Sequence, residues 1–239
     1  MDPNTQIGGP RSFPPTRWSL LKEASASDGR ASLDELARVY WRPVYLYVRR
    51  KWRKSNEEAK DITQDFFLAL ADPDMLQRLA PTQGRFRSYV MGALDNMVRM
   101  EYRRIFAQKR GGGALHFTID PNIDSPPDDG DTPERAFQRE WATSIFQEAL
   151  QGLERELRET GDTTAWELFL AYDLERPPDT EVRYEDLANR YGRSVTDVRN
   201  QLYRVRRRLR ELVTERVRET VTDELALEEE MRDLFADLR

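Results

Sequence analysis

The segment 111–131 limits what this chain can fold into more than any other feature of the sequence. It contains four glycines, three prolines and five aspartates, and it lacks lysine and arginine. Such a composition favours a flexible connection over a packed element. The rest of the 239 residues falls into two stretches, each near the roughly 100 residues of a small domain. We therefore expect two small cores rather than one deep core.

Apolar residues in the first stretch recur every three or four positions, which is the period of an α-helix that buries one face. One such helix is predicted over residues 32–52, with a kink or restart near Trp41 because Pro43 removes a backbone donor. Ser55 and Glu58 form a predicted capping box at the start of a second helix, and a third follows over 85–109. The residues predicted to be buried in these helices are Leu33, Leu36, Tyr40, Val44, Tyr47, Val48, Ala59, Ile62, Phe66, Leu70, Phe86, Val90, Ala93, Met97, Met100 and Ile105.

The stretch after the linker has the same helical character. Thr132 and Pro133 are typical of an N-cap and the first helical residue. Further helices are predicted over 136–159, 164–173, 183–190 and 194–220, and β-strand signals are sparse. The predicted fold is all-α, with two small helical domains joined by an acidic flexible linker. Its predicted parts are a flexible leader 1–15, an N-terminal domain 16–110, the linker 111–131, a C-terminal domain 132–220 and an acidic tail 221–239.

The composition excludes several classes of protein. Without cysteine there is no disulfide scaffold or thiolate metal site, and the single histidine, His116, excludes a multi-histidine metal centre. No apolar run approaches the ~20 residues that span a bilayer, so a cytoplasmic protein is predicted. Asp61 and Asp65 could serve acid–base chemistry in principle, but their spacing equally fits a solvated helix face, and no phosphate loop or nucleophile motif accompanies them. We expect neither an enzyme nor a bound cofactor or metal.

The formal net charge of −5 conceals a strong separation of charge along the chain. Six arginines and no acid lie between Arg199 and Arg210, and basic residues also dominate 85–110 and 42–54. The last 21 residues instead carry eight acids and two arginines. Because charges are screened beyond about 8–10 Å, the local potential decides whether phosphate binds. The acidic total is therefore compatible with a nucleic-acid partner.

Residues 184–199 contain the sharpest motif. Leu187 and Ala188 lie on a short predicted helix, Gly192 permits a sharp turn, and Ser194 with Asp197 caps a second helix. The second helix has a predicted buried stripe of Val198, Leu202, Val205 and Leu209. This pattern predicts a helix-turn-helix whose second helix enters the major groove of DNA. An arginine-rich solvated helix in an ordinary bundle is the alternative.

In their order along the chain, these segments resemble an extracytoplasmic-function (ECF) sigma factor, the small two-domain class of bacterial RNA polymerase specificity subunit. The resemblance implies a member of the sigma-seventy superfamily that binds core RNA polymerase and directs promoter recognition and opening. A free-standing helix-turn-helix regulator that binds duplex DNA without polymerase is the alternative. The segments that carry the resemblance are Tyr40-Trp41-Arg42-Pro43-Val44-Tyr45, Asp61-Ile62-Thr63-Gln64-Asp65-Phe66-Phe67, Gly84-Arg85-Phe86-Arg87-Ser88-Tyr89-Val90, Asn96 to Arg104, and Trp141 to about Leu212.

The resemblance also implies roles for residues of the N-terminal domain. In this family one helix docks on the clamp coiled coil of the largest polymerase subunit, which here implicates Asp61, Gln64, Asp65, Phe66 and Phe67. We expect one of the two phenylalanines in the core and the polar edge at the interface. The loop at about 81–87 and the helix after it would hold the opened minus-10 promoter element, although Phe86 also fits a buried position. The implied DNA contacts are Arg85, Phe86, Arg87, Tyr89, Asn96, Arg99, Arg103 and Arg104.

The second helix of the helix-turn-helix would lie at the minus-35 element. Arg199, Asn200 and Arg204 are the candidates for base contacts, since arginine pairs with guanine and asparagine with adenine. The other candidates on this helix are Tyr203, Arg206, Arg207 and Arg208, and these arginines are expected on phosphates, which position the helix without specifying sequence.

The acidic tail departs from the family pattern, because typical members end soon after this helix. Its apolar spacing predicts an amphipathic helix. It could cap the fold, bind a partner, or cover Arg199–Arg210 as an internal DNA mimic; a regulatory or docking role is our expectation. An anti-sigma protein or another regulator is a further candidate partner. The apolar residues of the tail are Val221, Leu225, Met231, Leu234, Phe235 and Leu238.

Overall fold

The fold is known from a computed structural model, which describes residues 30–70, 85–109, 130–175, 182–221 and 223–237, with the side chains of 30–33, 35, 101–109 and 237 left out. Across these ranges all regular elements are helical, so the predicted all-α class is confirmed. The leader prediction and nearly all of the linker prediction lie outside the described residues. So do the side chains of Leu33, Arg103, Arg104 and Ile105, and all of Leu238.

The described helices group into two compact units. The first unit comprises the described residues up to Ser144 together with those from Val217 onward, and the second comprises Ile145–Arg216. This division runs through α4 and α7, whereas the predicted domain boundaries are at 132 and 220. The helices are α1 (Arg30–Trp52), α2 (Asn56–Leu70), α3 (Phe86–Lys109), α4 (Pro133–Glu159), α5 (Thr163–Phe169), a π-helical turn (Leu170–Leu174), α6 (Tyr184–Tyr191), α7 (Val195–Arg218) and α8 (Glu224–Asp237).

An aromatic cluster around Tyr40 joins three helices in the first unit. The ring of Tyr40 packs edge-on against Phe86 of α3, with centroids 5.2 Å apart, and it also lies near Phe137 of α4. The indole Nε1–H of Trp141 donates a hydrogen bond to the Tyr40 hydroxyl at 3.2 Å. Buried aromatic side chains supply large apolar areas and usually find partners for their polar atoms. The cluster therefore anchors α1, α3 and the first part of α4 to one another.

Two local predictions for the first unit have definite outcomes. The Ser55–Glu58 capping box is confirmed, because the Glu58 backbone N–H donates to Ser55 Oγ and the Ser55 N–H donates to the Glu58 carboxylate. The predicted restart of the first helix is wrong, since α1 continues through Pro43 as one element.

Most of the predicted apolar faces are buried, with corrections in two helices. In α2, Ile62 is only partly buried, whereas Thr63 is buried and donates a hydrogen bond to the Ala59 carbonyl. In α3, Met97 is partly exposed and Met100 is 55% exposed. The buried face of α3 instead turns toward Leu94 and Val98, because a helix of 3.6 residues per turn drifts relative to a strict three-or-four spacing.

The second unit buries apolar side chains from the later part of α4, from α5, from α6 and from α7. Trp166 and Phe169 of α5 lie in this core, as do Leu187 and Ala188 of α6. The stripe predicted for α7 is confirmed: its members Val198, Leu202, Val205 and Leu209 are all buried.

The predicted turn between α6 and α7 is confirmed. Gly192 has φ 62° and ψ 37°, the left-handed conformation that side chains disfavour, and it ends α6. The next helix begins with the predicted capping box, in which Asp197 N–H donates to Ser194 Oγ at 3.0 Å. The Ser194 hydroxyl, first, and then its backbone N–H hold the pKa of Asp197 below its ordinary value. Helix, turn and second helix are therefore in place; their use in DNA binding stays a prediction.

We expect Gly192→Ala to lower the free energy of unfolding by about 1–2 kcal/mol, since only the left-handed backbone opposes the new methyl group. Nothing lies within 4 Å of the position that a Cβ would take. Gly192→Asn is the matched control, because asparagine tolerates this conformation better, and it should cost less. Urea denaturation measures both; equal losses would contradict the backbone explanation.

Candidate nucleic-acid and protein interfaces

The arginines of α7 divide into two groups according to what they contact. Arg206 and Arg208, near the middle of the helix, are held by acids of the second unit. The Arg206 guanidinium donates two hydrogen bonds to Asp173 at 3.0 and 2.9 Å. Arg208 donates two to Glu156 at 2.8 and 2.7 Å, and it also reaches acids further along α7. Both side chains therefore hold the unit together in this structure, whereas the sequence assigned them to phosphates.

The first half of α7 presents polar groups to solvent instead. Arg199, Asn200 and Arg204 are exposed, and Tyr203 is 66% exposed, which is high for a large aromatic side chain. Within the described residues, no acid forms an ion pair with Arg199 or Arg204. Asn200, Tyr203 and Arg204 line a shallow cleft together with Arg193. Tyr203 and Arg204 lie three and four residues after Asn200, so these three side chains share one face of the helix.

Arg193 was missed by the sequence reasoning, which considered arginines only from position 199 onward. It occupies the turn directly after Gly192, and its place between two helices of the motif is the signal that could have found it. Arg207 is the intermediate case on α7, since its side chain is 63% exposed and lies 3.6 Å from Glu211 on the same helix.

Two stacked tyrosines, Tyr172 and Tyr184, contact arginines of α7. The rings of Tyr172 and Tyr184 are nearly parallel, 8° apart in orientation with centroids 4.8 Å apart. The guanidinium of Arg199 lies over Tyr184 at 5.2 Å, and that of Arg206 lies over Tyr172 at the same distance. The result is a stack in which the two rings lie between the two cations, and each cation faces a π surface.

The stack depends on the π-helical turn that follows α5. This turn places Tyr172 and Asp173 side by side, so that one contacts the ring of Tyr184 and the other binds Arg206. A hydrogen bond with Tyr172 is the largest cause that lowers the pKa of Tyr184, and the neighbouring arginines lower it further against a smaller opposing effect of burial. π-Helical turns are rare and frequently lie at functional sites. The sequence gives no periodic signal for one here.

Comparisons with known proteins assign no family to the chain. Neither a protein-family model nor a curated protein matches it. No helix in the described part of the chain is long and apolar enough to cross a membrane. Within the described ranges, no group of three or more histidine or acidic side chains is placed so that it could hold a metal ion.

The residues predicted to contact the minus-10 element occupy several different environments at the start of α3. Phe86 is 1% exposed and Arg87 is 2% exposed, so both are inaccessible to DNA in this conformation. Burial raises the pKa of the partly buried Tyr89 to about 12. Asn96 and Arg99 are exposed and remain accessible. The structure therefore brings Asn96 and Arg99 to the surface of α3 but not Phe86 or Arg87.

Arg85 and Arg87 are bound by carboxylates of α8. Arg85 forms ion pairs with Glu229, at 2.9 Å, and with Asp233. Arg87 forms ion pairs with Glu230 at 2.6 Å and with Asp233 at 2.8 Å. The sequence reasoning missed these three acids as functional residues, although the run Glu228-Glu229-Glu230 was a visible signal.

The outer face of α2 carries the residues predicted to bind polymerase, with one correction. Asp61, Gln64 and Asp65 are exposed or partly exposed at the surface of the helix. Phe66 and Phe67 are both buried, at 1% and 7% exposure, whereas we expected only one in the core. Their burial follows from packing, since Phe66 and Phe67 contact each other edge-on and Phe67 also stacks on Trp41 of α1.

Leu68 takes the place that the sequence reasoning gave to a phenylalanine. It is 60% exposed and follows Asp61, Gln64 and Asp65 at helical spacing, so the four side chains form one stripe. Trp41 lies 38% exposed beside Phe67. The stripe combines two carboxylates, an amide and an apolar side chain, which is the mixture typical of a protein interface.

Acids of the first unit pair with at least three of the six basic residues in the stretch 42–54. Arg42 contacts Glu140 at 2.7 Å, and Lys51 contacts Asp95 at 2.9 Å and Glu134 at 3.2 Å. Lys54 contacts Glu58 at 3.1 Å. Desolvation lowers the pKa of Lys51, but hydrogen bonds with Asp95, Tyr47 and Glu134 outweigh it and the net change is a rise. These pairs tie part of the stretch to the fold, while Arg42 keeps 69% of its side chain exposed.

We expect Tyr172→Phe to raise the pKa of Tyr184 toward its ordinary 10.0, because the hydrogen bond that favours the phenolate is lost while the ring stack remains. Tyr172→Ala should also remove the stack and destabilise the second unit by about 1–2 kcal/mol. Ultraviolet titration of phenolate absorbance and urea denaturation measure the two effects. Tyr203→Phe, at an exposed site, is the control, and an unchanged Tyr184 titration in Tyr172→Phe would contradict the assignment.

Proposed function

We propose that this chain is an ECF-type sigma factor, which binds core RNA polymerase in the cytoplasm and directs promoter recognition and opening. Support comes from the order of the motifs along the sequence and from two surfaces with different chemistry. One surface is the polar face at the start of α7, and the other is the stripe on α2. Each lies within one compact unit.

The observation that carries the proposal is the division of arginines along α7. Arg206 and Arg208 are neutralised by acids of their own unit, whereas Arg199 and Arg204 face solvent with Asn200 between them. In helix-turn-helix proteins it is the beginning of the second helix that contacts base edges. Arg210, further along α7, is also exposed and forms no ion pair among the described residues. The beginning of α7 differs in that Arg199, Asn200 and Arg204 lie close together there and are all exposed.

The stripe on α2 favours a sigma factor over a free-standing regulator. A regulator that binds duplex DNA alone has no use for Asp61, Gln64, Asp65 and Leu68 on an exposed face, since carboxylates repel phosphate. A basic or mixed protein surface is the partner that such a stripe suits. In the proposed function that partner is the clamp coiled coil of the largest polymerase subunit.

We expect Arg204→Ala to weaken binding to the preferred minus-35 sequence about 5- to 150-fold, the range for one bidentate base contact, and to leave thermal stability unchanged. Arg207→Ala is the matched control, because loss of a phosphate contact weakens all sequences alike and flattens the salt slope by about 1. Gel shifts of the polymerase complex on specific and scrambled DNA at several salt concentrations measure both. Equal losses on the two DNAs for Arg204→Ala would contradict base reading.

We expect promoter binding and run-off transcription from a promoter library to require core polymerase. Leu68→Ser combined with Asp65→Asn should reduce affinity for core at least tenfold without lowering the melting temperature, because both side chains are exposed. Glu57→Gln, also exposed on α2, is the control. Tight, sequence-specific duplex binding by the chain alone, with no increase on adding core, would favour the free-standing regulator instead.

A further inference from the structure

We propose that Arg85 and Arg87 form a binding site for the phosphate backbone of a nucleic acid, and that α8 of the same chain occupies this site. The helix must leave before DNA binds there. The inference rests on the proposed function, since it concerns the regulation of the surface expected at the minus-10 element. All of the residues that carry it belong to the first unit.

The contact between α8 and the start of α3 is made by oppositely charged side chains. Three carboxylates of one helix meet two guanidinium groups that lie two residues apart at the start of α3. Asp233 is shared, since it binds both Arg85 and Arg87. Carboxylate and phosphate are the two anions that the planar guanidinium fork binds bidentately. The acids of α8 therefore fill the positions that phosphate oxygens of a nucleic-acid strand would otherwise take.

The buried part of this contact leaves one hydrogen-bond donor without a partner among the described residues. Glu230 is fully buried and Arg87 nearly so, and the face of the Trp141 ring lies 5.0 Å from the guanidinium carbon of Arg87. Yet Arg87 Nη1 has no hydrogen-bond partner among the described residues. Desolvation is also the largest influence on Glu230 and raises the pKa of its carboxyl, against the opposing effects of Arg87 and Arg85. A buried ion pair in which one N–H donor has no hydrogen-bond partner contributes little to the free energy of unfolding. Such a pair is poorly suited to a role that only stabilises the fold.

The tail makes few apolar contacts. Val221, Leu227 and Leu234 are buried, but Leu225 is 69% exposed and Phe235 is 42% exposed. Outside the buried pair, the rim acids Glu229 and Asp233 are nearly half exposed, where ion pairs are weak. Only two of the three buried apolar side chains, Leu227 and Leu234, belong to α8, so the docked helix depends largely on charges that a polyanion can replace.

The test compares two single substitutions in α8 of the full-length chain, each of which removes one negative charge. Asp233→Asn removes the acid that both arginines share, and Glu228→Gln removes an exposed acid of the same helix. Fluorescence anisotropy with a labelled single-stranded oligonucleotide reports affinity at several salt concentrations. If α8 is docked in about nine molecules of ten, its release raises the apparent affinity about tenfold.

We expect Asp233→Asn to bind about tenfold tighter and to steepen the salt slope by about 0.7 for each additional phosphate that the arginines neutralise, while Glu228→Gln binds like the parent. Adding Arg85→Gln to Asp233→Asn should return the affinity toward the parent value. Glu229→Gln, at a half-exposed rim position, should show the same direction and serves as a second variant if Asp233→Asn folds poorly.

Two results would overturn the inference alone. In one, Asp233→Asn and Glu229→Gln lower the melting temperature while affinity and salt slope stay unchanged, which makes α8 a structural cap. In the other, Glu228→Gln raises affinity as much as Asp233→Asn, which is a general effect of net charge. Failure of the unsubstituted chain to bind promoter DNA even with core polymerase would instead overturn the proposed function, and this inference with it.

Discussion

A guanidinium group taken out of water has to meet a carboxylate, a carbonyl or an aromatic face, because an unpaired buried charge is far more costly than any single apolar contact is favourable. The constraint matters in a chain in which 34% of the residues are charged. It acts most strongly in the first unit, where the buried Arg87 meets the buried Glu230. In the second unit, Arg206 and Arg208 pair with Asp173 and Glu156 while they stay partly solvated. The apolar stripes bring helices together, and these pairs determine which parts of each helix meet.

Features that depend on neighbours within one helical turn could be predicted from the sequence. The capping boxes at Ser55 and Ser194 each need only a partner three residues later, and the turn at Gly192 needs only a residue that accepts positive φ. The apolar stripe of α7 followed from its period. For the same reason the spacing of Arg199, Asn200 and Arg204 was enough to place them on the exposed side of that helix.

Features that depend on distant neighbours could not be predicted in this way. Arg87 and Glu230 are separated by 143 positions, and Arg208 and Glu156 by 52. Periodicity shows that a helix has a buried face, but not which acid of another helix lies beside a given arginine. The sequence therefore revealed where arginine is abundant, but not which arginines are neutralised. Phe67 shows the same limit, since its burial depends on Trp41 of another helix.

Contacts between arginine and carboxylate have different roles in the two units. They differ in whether every nitrogen of the guanidinium group has a hydrogen-bond partner. Arg208 donates from all three of its nitrogens, to Glu156, Glu211 and Glu215, and remains partly solvated. Each nitrogen of the Arg208 guanidinium group therefore has a partner within the fold, and these carboxylates compete with any other anion for it. Arg87 is buried with a donor unmet beside an acid whose charge is opposed by burial. A phosphate strand could satisfy this donor as well as replace the carboxylates, so Arg87 gains from an exchange of partners that would give Arg208 nothing.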